Sequence, residues 1–225
     1  MVKNNISQRL DSVRAMLPDK VRLVAVSKYH PISAVREAYS AGQRLFGESR
    51  EQELAEKHAA LPEDISWHFI GHLQTNKVRF IVPYVSMIDS VDSLKLLCEI
   101  EHQAARCERV IDVLLELHIA EETSKYGLTP ADCRALLEEG KWRKMEHVRI
   151  CGLMMMASNV DNEEQLREEF TTAARFFEEV KRDFFSDASY FCERSWGMSG
   201  DYPIAVECGS TMVRVGTAIF GEREY

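Results

Sequence analysis

The sequence has no long apolar run. No uninterrupted hydrophobic stretch approaches the roughly 18 residues that a membrane-spanning helix requires, so a water-soluble protein is expected. The opening residues, Met1-Val2-Lys3-Asn4-Asn5, lack the apolar core and small-residue cleavage site of a secretory signal, which points to the cytoplasm. Basic blocks are missing too. The formal net charge is −8 and Lys and Arg are dispersed, whereas gripping a phosphate backbone needs them clustered, so nucleic acid is not an expected partner. The six cysteines (Cys98, Cys107, Cys133, Cys151, Cys192 and Cys208) include no C-x-x-C pair, which argues against a disulfide framework or zinc knuckle and for reduced thiols. No Pro/Gly/Ser-rich linker divides the chain, so residues 1–225 are read as one domain.

What the chain does contain is alternation. Short β-rich apolar runs at 22–27, 44–46, 66–70, 85–88, 111–117, 147–151, 190–192 and 211–215 are separated by amphipathic stretches such as 31–41, 49–60, 92–106, 130–139 and 161–183. Helix punctuation agrees. Thr129-Pro130-Ala131-Asp132 supplies a capping hydroxyl, a proline at the first helical position and an acidic residue at the third. Asp161-Asn162-Glu163-Glu164 opens another helix with negative charge, and Gly42 and Gly140 stand where C-terminal caps belong. Repeated β and α elements with short connections imply a parallel sheet, and eight such units imply a closed (β/α)8 TIM-type barrel. The chain leaves little room for a helix after the eighth strand, so a helix at about 3–17 is expected to cover that face.

In such a barrel, chemistry gathers at the C-terminal ends of the strands. The first strand runs into Val26-Ser27-Lys28-Tyr29-His30-Pro31, and alternation places Val24, Val26 and Lys28 on one face. If that face is inward, desolvation frees the Lys28 amine to condense with an aldehyde. A lysine snorkelling to solvent from a strand end is the alternative. Near the other terminus, a β-run carrying Arg214 breaks at Gly216-Thr217, and the seventh unit ends in Trp196-Gly197-Met198-Ser199-Gly200. Backbone N–H groups at such breaks, with the hydroxyls of Ser199 and Thr217, suit a phosphate, and phosphate sites commonly follow strands seven and eight of barrels. Plain turns are the competing reading of each loop taken alone.

These residues resemble the YggS/PROSC family of pyridoxal-phosphate-binding proteins. The matching motifs are Ala25-Val26-Ser27-Lys28, Phe46-Gly47-Glu48, Trp67-His68-Phe69-Ile70-Gly71 with Leu73-Gln74 and Asn76-Lys77, Ser124-Lys125 with Gly127, Gly152-Leu153-Met154, Gly197-Met198-Ser199 and the stretch 209–221. The resemblance implies a barrel like the N-terminal domain of alanine racemases. It also implies pyridoxal 5′-phosphate (PLP) held as a Schiff base on Lys28, with Ser199, Gly216 and Thr217 on its phosphate and Arg214 facing the pyridine nitrogen. A cationic arginine there disfavours protonation of the ring, which suits a racemase-like site or a carrier better than a transaminase. One position departs from the family. Many members have Asn where this chain has Ser49, so a contact from Ser49 to the cofactor ring would be weaker.

Other motifs are set aside. His68 and His72 have metal-pair spacing on a helix, but on a strand four residues span about 13 Å, too far for one ion. Glu116 and His118 read as a buried polar pair rather than an acid–base dyad, and Met154-Met155-Met156 as barrel packing. Three functions stay open: a non-catalytic PLP carrier in vitamin B6 homeostasis that supplies apo PLP enzymes, a PLP-dependent amino-acid racemase, and a cofactor-free Schiff-base lyase. Racemisation needs proton-transfer groups on both faces of the substrate Cα, and alanine racemases draw the second from a domain absent here, so the carrier ranks first. Lys125 or Lys77 is expected to accept the aldehyde during release. Nothing marks a large self-complementary surface, so a monomer is expected.

Overall fold

The Asn5 side chain accepts the Gln8 N–H (2.9 Å) and so caps the first helix, α1 (Ile6–Ala15). From there the alternation expected from the sequence unfolds in a computed structural model that describes residues 5–119 and 126–222. The order is β1 (Arg22–Val26), α2 (Ile32–Ser40), β2 (Leu45–Glu48), α3 (Glu51–Ala60), β3 (Ser66–Phe69), α4 (Val78–Ile81), β4 (Met87–Val91) and α5 (Leu94–Arg106). It continues with β5 (Ile111–Leu117), α6 (Pro130–Glu139), β6 (Val148–Met155), α7 (Glu163–Phe184), β7 (Glu193–Ser195), α8 (Tyr202–Glu207), β8 (Met212–Val215) and α9 (Thr217–Phe220). The strands pair in sequence order, all parallel, and β8 closes on β1 with Val24 opposite Arg214.

The punctuation behaves as its chemistry dictates. Thr129 caps α6 by accepting the Asp132 N–H (3.1 Å), and Gly140 ends it in the left-handed conformation (φ +71°) that a side chain would strain. Helix α9 is only one turn long, and α1 covers the face beside it. The Ile6 N–H is held by Glu37 of α2 (2.8 Å), and Tyr202 reaches Met16 just beyond α1 (3.1 Å). No helix among the described residues is long and apolar enough to cross a membrane.

Period-two alternation sorts the barrel interior into layers. Val24, Met87, Leu114, Met154 and Met212 pack together as an apolar floor. Two residues further along their strands stand Asp89, Glu116 and Arg214, which with His68 of β3 and Ser195 of β7 form a buried polar layer. Toward the mouth, Val26 and Met156, two residues beyond Val24 and Met154, and Ile70, two beyond His68, line a cavity. The methionine run of β6 thus serves three places: Met154 in the floor, Met155 in the outer core and Met156 at the cavity wall. A bulge in β6 makes this possible. Register against β5 shifts between Val113 and Leu114, leaving Cys151 as an extra inward residue, and Gly152 passes so close to β7 that a Cβ would fall 1.9 Å from the Glu193 carbonyl oxygen.

Several strand expectations need correction: the fourth strand is Met87–Val91, not 85–88, and the sixth runs Val148–Met155 rather than 147–151. The seventh strand is Glu193–Ser195, not 190–192. Phe191 packs outside the barrel, stacked on Phe177 and Phe185 (centroids 4.9 and 4.2 Å apart), so the apolar run belongs to the helix layer. The first strand ends at Val26 and Lys28 lies in the turn that follows, where it still lines the same cavity as Val26.

Candidate functional site

A cavity of about 720 Å³ opens at the C-terminal mouth of the barrel. Lys28, Ser199, Arg214, Gly216 and Thr217 all line it, with Met156, Asn159 and Glu222. Ser49 does not. It lies one residue beyond β2, packed so tightly on Gly71 that a Cβ there would sit 2.7 Å from its own.

Lys28 reaches the wall through a tight turn. Ser27 extends the pairing to β2 by one bond (its N–H to the Gly47 carbonyl, 3.1 Å), and the His30 N–H then folds back onto the Ser27 carbonyl (3.1 Å). Tyr29 closes the turn with φ +66°, a left-handed conformation uncommon for a non-glycine residue. The next ring, His30, stacks on Phe220 of α9 at 5.1 Å, joining this loop to the one after β8. The side chain of Lys28 is left half-buried.

Below the cavity lies the polar layer. Arg214 is buried and donates to the Ser195 carbonyl (2.6 Å), the Ser195 hydroxyl (2.7 Å) and the Met155 carbonyl (2.9 Å). Burial pulls its pKa down, against the attraction of Asp89, Glu116 and Asp201. The Ser195 hydroxyl passes the interaction on to Asp89 (3.3 Å). His68 Nδ1 lies 2.9 Å from the other Asp89 oxygen, close but without the alignment of a hydrogen bond. Glu116 completes the layer. One of its oxygens has no partner, and its pKa is pushed up to about 7, chiefly by burial, with Asp92 adding to the effect and Arg214 opposing it.

Above Arg214, the β7 and β8 loops are knitted together. The Arg214 N–H binds the Gly197 carbonyl (2.9 Å), and the Ser199 hydroxyl oxygen accepts from the N–H groups of Gly216 (3.1 Å) and Ala218 (3.4 Å). Gly216 lets the chain run close under β1, where a Cβ would press on the Val26 carbonyl oxygen at 3.1 Å. Ser199, Gly216 and Thr217 thus stand together on the cavity wall, at a chain break of the kind that suits an anion.

Three mouth loops are fastened from outside by carboxylates. Glu53 of α3 accepts the Tyr29 N–H (2.7 Å), Glu169 of α7 accepts the Ser158 N–H (2.7 Å) and hydroxyl (2.6 Å), and Asp201, at the head of α8, accepts the Met198 N–H. Burial raises the Asp201 pKa against the pull of that amide and of Arg214.

Residues set aside in the sequence fall elsewhere. His72 pairs with Asp92 (3.2 Å) and stacks on Tyr126 (3.8 Å). Glu116 and His118 do not pair; each keeps an unpartnered buried atom. Lys77 is bound to Glu51 (2.5 Å), and this bond lowers the Glu51 pKa; Lys125 lies outside the described residues. Met156, Asn159 and Ile70 were missed as wall residues. Their signal was present, since each follows the end of β6 or β3 on the mouth side.

The family of alanine racemase N-terminal domains matches residues 3–224. A pyridoxal phosphate homeostasis protein of Aquifex aeolicus is 37% identical over 91% of this chain and 88% of its own. Among solved structures, PipY of Synechococcus elongatus with PLP bound superimposes with a TM-score of 0.87 at 39% identity, covering 96% of this chain and all of that one (100%). Alanine racemase of Clostridium difficile shares the fold (TM-score 0.80) at 14% identity, and this chain covers 61% of its length.

Proposed function

The chain belongs to the family of alanine racemase N-terminal domains, where it groups with the pyridoxal phosphate homeostasis proteins; on that premise we propose that residues 1–225 act as one PLP-binding barrel serving vitamin B6 homeostasis in the cytoplasm. The observation that carries this reading is the convergence of a lysine, a buried guanidinium and an amide–hydroxyl cradle on one cavity.

The donor set fits the cofactor. When bound, PLP supplies an aldehyde for reversible attachment to an amine, a phosphate, and a ring whose electron demand depends on what faces its nitrogen. Lys28 offers the amine from the cavity wall. Ser199, Gly216 and Thr217 would hold the phosphate from the wall where they stand together. Arg214, its guanidinium fixed by Ser195 and Met155, would face the pyridine nitrogen. A cation at that position would disfavour protonation of the nitrogen and leave the ring a weak electron sink, which favours holding the cofactor over turning over amino acids. Ser49, off the cavity wall, contributes at most an outer contact.

The protein acts as a monomeric carrier whose recipients are apo PLP enzymes. Release runs through a second amine, Lys77 or Lys125; unchanged transfer rates in both Lys77→Ala and Lys125→Ala variants overturn that step. The central test is borohydride reduction of the protein incubated with PLP, followed by peptide mass mapping. A phosphopyridoxyl group on Lys28 is expected, with no racemisation of amino acids by the loaded protein. An unmodified Lys28 overturns the reading.

A further inference from the structure

Behind the Lys28 turn lies a second lysine that the site does not use. Lys57 of α3 is 2% exposed. Its ammonium group makes three bonds, each 2.7 Å long, to the Ser27 carbonyl, to Glu48 Oε1 and to Glu53 Oε1. Those are all the donors an ammonium has. Glu48, itself wholly buried, also accepts the Ser27 hydroxyl (2.6 Å), and Glu53 Oε1 also accepts the Tyr29 N–H (2.7 Å).

The residues before and after Lys28 are therefore both tied to one cluster. Ser27 is held through its carbonyl and its hydroxyl, Tyr29 through its amide, and Tyr29 is the residue kept at φ +66°. Buried ion pairs stabilise little compared with apolar packing of the same volume, so their use here calls for a reason other than stability. We propose that Lys57, Glu48 and Glu53 are positioning residues that fix the backbone of the 27–29 turn and thereby aim the Lys28 amine into the cavity. This rests on the reading of Lys28 as the attachment point.

The test uses the full chain and Glu53, the most accessible member of the cluster. Glu53→Ala removes the acceptor for the Tyr29 amide, Glu53→Gln keeps an oxygen there, and Glu56→Ala on the exposed face of α3 is the control. Two rates are read: borohydride-trapped attachment of PLP to Lys28, and acetylation of Lys28 by acetic anhydride as a function of pH in the cofactor-free protein. Displacing a reacting group by a fraction of an ångström to an ångström costs about tenfold or more in rate. Glu53→Ala is thus expected to slow PLP attachment about tenfold and to move the acetylation profile of Lys28 away from the parent's, with Glu53→Gln and Glu56→Ala near the parent. Parent-like rates in Glu53→Ala overturn the proposal. Should that variant fold poorly, Ser27→Ala deletes only the hydroxyl bond to Glu48; a slower Lys28 supports the proposal and an unchanged one overturns it. Failure of the parent to take up PLP sinks the functional reading alone, because the acetylation rates still decide this inference.

Discussion

The floor of the barrel and the polar layer above it are built two residues apart on the same strands. Met87, Leu114 and Met212 face inward beside one another, and so do Asp89, Glu116 and Arg214. The floor needs only to fill space, and flexible methionines do so without polar obligations. The upper layer carries an arginine, two carboxylates, a histidine and a serine with few spare bonds, and it still leaves Glu116 with an unpartnered oxygen. Close packing and ligand chemistry are thus divided within one strand by a single step of the pleat. The lower step closes the barrel, and the upper one supports the site at a cost in stability.

The comparison can be broken most severely at Arg214. Replacing it with Met removes the cation from among Asp89, Glu116 and Asp201 and should cost about 4 kcal/mol in urea unfolding, together with loss of bound PLP. Met154→Ala in the floor should cost about 3 kcal/mol through the cavity it leaves. PLP retention under native conditions, read by absorbance, should nevertheless stay unchanged, so equal losses of cofactor in the two variants would erase the distinction between layers.

Glu116 sharpens it through pH. Its carboxyl is raised from 4.5 to about 7 in the fold, so below pH 4.5 folded and unfolded states are both protonated and burial carries no ionic penalty. Between those values the unfolded chain releases the proton first, and stability should fall by on the order of 3 kcal/mol as pH rises, levelling off above 7. Glu116→Gln should remove this decline, as measured by urea unfolding of the cofactor-free protein from pH 5 to 8. An unchanged slope would remove Glu116 as its source. The smallest effect is expected at Ser199→Ala, which loses the acceptor for the Gly216 and Ala218 amides. PLP should be held about tenfold more weakly, while folding stability changes by no more than ~1 kcal/mol.

The barrel was readable because most strands carry their own apolar signal and the breaks between them carry their own caps. Glu193-Arg194-Ser195 carries none: the strand is short, polar and held by its neighbours, so the apolar Tyr190-Phe191-Cys192 drew the assignment away. Lys28, Arg214, Ser199, Gly216 and Thr217 were legible as unusual residues at strand ends, and the structure brings them to one cavity. That Lys28 sits in a turn was not legible, because alternation along a strand gives no sign of where the strand stops. Lys57 was hidden for a different reason. With Glu53 four residues before it, it reads as a surface pair on an amphipathic helix, and only the fold brings Glu48 and the Ser27 carbonyl against it.

The carboxylates that fasten the mouth loops take hold of main-chain amides, and this bears on how the protein tolerates sequence change. At Met198 the grip is indifferent to which side chain is present, since every residue except proline brings the same N–H. At Tyr29 the positive φ narrows the choice toward glycine and asparagine, and at Ser158 the hydroxyl adds a bond that an alanine would forfeit. Drift among homologous chains should therefore be freer at Ser158 than at Tyr29, with Glu53, Glu169 and Asp201 changing more slowly than the loops they restrain.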